Sequence, residues 1–81
     1  MEHYEKIATT ILSTAIHRGA EKSPCPSEIA RMLFPEEWRK HMKDVIKVAT
    51  DLSNKGSVVI TQKGMPVDVK DIKVQVRIKI I

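Results

Sequence analysis

Four side chains in this 81-residue chain could ligate a metal ion: His3, His17, Cys25 and His41. Zinc sites draw their ligands in close pairs such as C-x-x-C or H-x-x-x-H, because a short pair fixes two ligands on one turn. Here the separations are wide and irregular and no such pair occurs, so no metal is expected. Cys25, the single cysteine, has a second possible chemistry. It stands just before Pro26, at the start of an expected helix, where a thiolate is stabilised and can act as a nucleophile or redox sensor. No histidine lies close to it in sequence and no second cysteine exists to resolve an oxidised thiol. Cys25 is therefore read as a small residue filling the corner before the helix. The three glycines, Gly19, Gly56 and Gly64, are scattered and make no phosphate-cradling loop. Glu36-Glu37 is a carboxylate pair, better explained by attraction to the positive end of a helix than by acid–base work. No catalytic residue, no cofactor and no enzymatic activity are expected.

The remaining chemistry is charge. The net charge is +4, from 14 Lys and Arg against 10 Asp and Glu. Residues 1–58 account for +1 and residues 59–81 for +3, so most of the excess belongs to the C-terminal part. A basic surface favours anionic partners, nucleic acid among them. The candidate contacts are Arg39, Lys40, Lys43 and Lys47 on one expected helix, with Lys63, Lys70 and Arg77 beyond it. Arg39, near the start of that helix, suits bidentate contact with guanine. Lys40, Lys43 and Lys47 would face a groove, and Lys63 and Lys70 would meet phosphates. Two features oppose this. Glu36 and Glu37 would approach phosphates at the reading end, and Asp44 and Asp51 dilute the lysines by helical pairing. The bland alternative is a solvated charged face. Aromatic residues number three, Tyr4, Phe34 and Trp38, and residues 56–81 contain none. A sheet without aromatics cannot stack bases as sheet-based RNA readers do. Trp38 falls in an apolar stripe and is expected in the core.

These residues must be positioned by a few elements. Tyr4, Ile7, Ala8, Ile11, Leu12, Ala15 and Ile16 fall on one face of a helix from about Tyr4 to Arg18, with Gly19 just past its end. Its other face, Thr9, Thr10, Ser13, Thr14 and His17 with Lys6, is polar but nearly uncharged, which suits either solvent or a homodimer contact. Pro26, with a preset φ and no amide to leave unpaired, opens a short second helix to about Leu33. Ile29, Met32 and Leu33 share its apolar side. After Phe34-Pro35 a long helix is expected from about Glu36 to Lys55, with Trp38, Met42, Val45, Ala49 and Leu52 as its stripe and Gly56 behind it. His41 borders that stripe as a half-buried packing residue.

Past Gly56 the apolar period changes to two. Val58 and Ile60 mark one strand, and Ile72, Val74, Val76, Ile78 and Ile80 mark another, apolar on one face and basic or polar on the other. Lys63-Gly64 and Met65-Pro66 are turn signals, so residues 62–71 are read as a long hairpin tip. Three helices and a hairpin in this order specify an α+β winged helix, residues 1–81 as one domain. The second and third helices form the helix-turn-helix and the hairpin is the wing. No targeting or membrane segment is visible, and a lone thiol suits a reducing compartment, so a cytoplasmic location is expected.

Cys25-Pro26-Ser27-Glu28-Ile29-Ala30-Arg31, Trp38-Arg39, Thr61-Gln62-Lys63-Gly64 and Val67-Asp68 resemble, in this order, a small bacterial family of single-domain winged helices known only as a domain of unknown function. The resemblance spans roughly residues 5–80. It implies the winged-helix fold, and it implies no activity, cofactor or catalytic residue. The expected function is binding of double-stranded DNA. The alternative is a winged-helix protein–protein interaction module that does not touch nucleic acid, since one scaffold hosts many functions.

Overall fold

A computed structural model describes residues 3–19, 22–62, 65–66 and 76–80. The chain is α+β. Helices α1 (Tyr4–Arg18), α2 (Pro26–Leu33) and α3 (Met42–Asn54) precede strands β1 (Val58–Gln62), β2 (Met65–Pro66) and β3 (Arg77–Ile80). The strands form one antiparallel sheet of order β2-β1-β3.

One face of each helix joins the sheet's inner face in a single core, with α1 and α3 packed on the strands and α2 on the other two helices. It is built from Ile7 and Ile11 of α1, Ile29 and Ala30 of α2, Val45, Val48, Ala49 and Leu52 of α3, Val58 and Ile60 of β1, and Val76 and Ile78. The helix ends follow their local chemistry. Cys25 is the extended N-cap of α2 and Pro26 its first residue. Gly56, at φ +81°, turns the chain out of α3. Its N–H donates to the Ser53 carbonyl (3.0 Å), and the Ser57 N–H donates to that of Leu52 (2.9 Å). Those two bonds satisfy carbonyls that the helix end would otherwise leave open.

Four sequence expectations change. The third helix begins at Met42, not Glu36. Residues 35–41 form successive tight turns, with N–H donation from Glu37 to Phe34, Lys40 to Glu37 and His41 to Trp38, all at three-residue spacing. Pro35 starts this stretch, and stacking of His41 on Phe34 (centroids 3.7 Å apart, 18° between planes) fixes a geometry that a continuous α-helix would not give. Met65-Pro66 is not part of a hairpin tip but an edge strand. Gln62 pairs with Met65 and Thr61 with Pro66, leaving only residues 63 and 64 between the arms. A proline without an N–H is tolerated there because an edge has no further strand to bond. Ile16, placed on the apolar face by periodicity, is 65% exposed. It sits about 100° round the helix from buried Ala15 in the last turn. Met32 is likewise 53% exposed, because it lies on the far side of Ile29 from Ala30 and Leu33.

The last strand is described from Arg77 to Ile80, and residues 72–75 of its expected range lie outside the described residues. Register is fixed by the pairs Val58–Ile80, Val59–Lys79, Ile60–Ile78 and Thr61–Arg77. The connection between α1 and α2 also joins this sheet edge. The Ile78 N–H donates to the Pro24 carbonyl (2.7 Å), and the Arg77 guanidinium donates to the Ser23 carbonyl (2.7 Å). Ser23 and Pro24 are buried as a result.

Candidate nucleic-acid interface

Helix α3 is held against both α1 and α2 through its apolar stripe, which leaves the opposite side to solvent. Lys43 and Lys47 are exposed there, one helical turn apart and on one face. Neither has an ion-pair partner among the described residues. Thr50 and Asn54 continue the same ridge at the next two positions. The Thr50 hydroxyl donates back to the Ile46 carbonyl (2.8 Å), and Asn54 is exposed at the end of the ridge.

Of the acidic residues that oppose nucleic-acid contact, Asp44 and Asp51 lie on α3 as expected, and the two glutamates do not. Glu36 and Glu37 lie in the turns before α3, not in its first turn. With Phe34 and Pro35 they line an open concavity of about 370 Å³. Glu37 pairs with exposed Lys40 (3.7 Å), so Lys40 is partly neutralised and lies off the helix. Asp44 is engaged by His41 Nδ1 at 3.3 Å. Of the two carboxylates on α3, one is therefore turned toward the helix start.

Arg39 lies three residues before α3, with its guanidinium carbon 5.1 Å from the centre of the Trp38 ring. Arg31, near the end of α2, stacks on the same ring at 4.3 Å. Trp38 is half-buried and packs against the core from its other atoms. Helical spacing puts Arg31 on the side of α2 away from Ile29 and Leu33 and says nothing of Trp38. The pairing spans a helix and the turn after the break, which no single-helix pattern reveals. Arg77 is exposed on β3, but one guanidinium N–H is already committed to the Ser23 carbonyl. Lys63 and Lys70 lie outside the described residues.

Elsewhere, His3, His41 and Lys6 surround Phe34. The His3 ring is 5.1 Å from Phe34 and 5.5 Å from His41, and Lys6 Nζ is 5.5 Å from Phe34. Cys25 is half-buried, with Sγ 3.1 Å from Ser27 Oγ and 3.8 Å from Glu28 Oε1. The Glu28 carboxylate also bridges to Arg18, tying the start of α2 to the end of α1. Among the described residues no three His, Cys, Asp or Glu side chains are placed to share a metal ion. Nor is any described helix long and apolar enough to cross a membrane. A shallow groove of about 450 Å³ runs between α1 and α2, lined by Ser13, Thr14, His17, Arg18 and Met32.

A family model described as a protein of unknown function, DUF3253, matches residues 4–81. No curated protein matches the chain.

Proposed function

The chain belongs to the DUF3253 family, and from that premise we propose that it is a winged-helix protein that binds double-stranded DNA through α3 and the sheet. The observation that carries this reading is the ridge of Lys43 and Lys47 on the solvent side of α3, exposed and without carboxylate partners among the described residues. The element order supports the winged-helix arrangement, with α2 and α3 as the helix-turn-helix and β1 and β3 as the wing strands. The Ser23–Pro24 segment between α1 and α2 is compatible with it, being tied to the outer edge of β3 by the Ile78 N–H and the Arg77 guanidinium. In this reading Lys43 and Lys47 enter the groove, while Lys40, Lys63, Lys70 and Arg77 meet the backbone. A homodimer through the charge-poor face of α1 would double these contacts.

A duplex of mixed sequence titrated at rising salt tests the reading. Log affinity is expected to fall linearly with log salt. Replacing Lys43 and Lys47 with Gln lowers that slope by about 0.9 for each phosphate no longer neutralised, with the melting temperature unchanged. Absence of any duplex complex at low salt sinks the proposal. The second reading, a protein-interaction module, is favoured by exposed Ile16 and Met32. It predicts a partner whose binding ignores the lysine changes.

A further inference from the structure

We propose that Arg31 and Arg39, mounted on the Trp38 ring, form a guanidinium clamp that takes a phosphodiester of the nucleic-acid backbone. The inference rests on the nucleic-acid reading above and adds to it a point of attachment between α2 and α3.

The two guanidinium carbons lie 4.3 and 5.1 Å from the centre of one indole ring. Both arginines are exposed, and neither has a carboxylate partner among the described residues. That combination matters. An arginine held by a carboxylate spends its donors and its charge on that partner. One held by an aromatic face keeps its charge, and the N–H donors at the rim of its plane remain open. The ring also removes much of the side-chain freedom that an arginine otherwise loses on binding. Two such groups on one ring offer charge-assisted donors to the phosphodiester backbone, whose oxyanions each have several acceptor atoms.

The mounting itself is built into the fold. Trp38 packs against the core, and the turns of residues 35–41 set its orientation between the end of α2 and the start of α3. The clamp therefore sits where α2 ends, beside the start of the proposed reading helix. A phosphate seated there would hold α3 at a fixed depth in the groove. Arg39 then acts on the backbone and not on a base edge.

Trp38 is the sole tryptophan, so its fluorescence reports on the clamp directly. The full chain is titrated with a mixed-sequence duplex and, separately, with a short single-stranded oligothymidylate, which offers phosphodiesters without a groove. The variants are R31Q with R39Q, R31K with R39K, and K43Q with K47Q, each checked by thermal melting. Both nucleic acids are expected to change Trp38 emission in the native chain. The glutamine pair abolishes that change and lowers the duplex salt slope by about 0.9 for each phosphate set free. The lysine pair, which keeps charge but not the planar fork, restores the slope but not the full affinity. If the duplex binds and only the α3 variants alter its slope, the clamp is wrong and the nucleic-acid reading stands. If the duplex fails but the oligothymidylate binds through Arg31 and Arg39, the clamp stands and groove binding by α3 falls. Failure of both nucleic acids overturns both.

Discussion

Trp38→Leu separates the aromatic role of this side chain from its apolar one. Leucine preserves much of the apolar packing against the core but offers no ring to Arg31 and Arg39. Both guanidiniums are exposed, which places each cation–π interaction at about 0.5–1 kcal/mol. The substitution should therefore cost about 1–2 kcal/mol from the two interactions, before any loss from imperfect filling of the site. For a domain of this size each kcal/mol is worth about 4–8 °C in melting temperature. A single variant cannot apportion the loss, so the assay is a double-mutant cycle in urea with Trp38→Leu, Arg31→Gln and the pair. The 4.3 Å approach predicts a coupling of about 0.5–1 kcal/mol between Arg31 and Trp38. The equivalent cycle with Arg39, at 5.1 Å, should give a smaller coupling. Strict additivity in both cycles would refute the reasoning, since it would mean the guanidiniums gain nothing from the ring. Phosphate binding plays no part in this test.

Three other perturbations address the frame. Gly56→Ala forces an L side chain into φ +81°, where open space around the added methyl leaves only backbone strain, so chemical denaturation should show a loss of about 1–2 kcal/mol. Ile29→Ala removes a fully buried side chain from the core and should cost about 2–5 kcal/mol by the same measurement, with the higher figure if the cavity stays open. Arg18→Ala breaks the bridge to Glu28 across α1 and α2, but both side chains are more than one-third exposed, so thermal melting should register less than about 1 kcal/mol.

Where local chemistry decides an element, the sequence is a good guide. Gly19 follows α1, Pro26 opens α2 and the Val45–Ala49–Leu52 spacing marks α3, all as periodicity and capping require. The start of α3 is different. Glu36, Glu37 and Trp38 all fit a helix locally, and what displaces it is the stacking of Phe34 and His41, seven residues apart, together with three-residue turns. Met65-Pro66 reads as a turn because proline punctuates most chains. Its strand role depends on β2 being an edge, which is a property of the sheet and not of the dipeptide. The same division runs through the candidate interface. Lys43 and Lys47 are visible from their spacing on one helix. The Arg31–Trp38–Arg39 stack is not, because its members come from α2 and from the turns after it.

The bonds from Ile78 and Arg77 back to Pro24 and Ser23 set an order of events for a chain made from its N-terminus. Ser23 and Arg77 are separated by 54 positions, and β3 also supplies Ile78 to the core and pairs with β1. The backbone bonds of α1, α2 and α3 are local and need no strand, although helices this short gain most of their stability by packing. The helices can cover part of one another's apolar faces, but the part that Val58, Ile60 and Ile78 cover stays open to water until residue 78 has emerged. Synthesis proceeds at about 5–20 residues per second, so a nascent chain carries that exposed surface for seconds. During that interval the open apolar surface is prone to aggregation. A stall anywhere between Gly56 and Arg77 would prolong it.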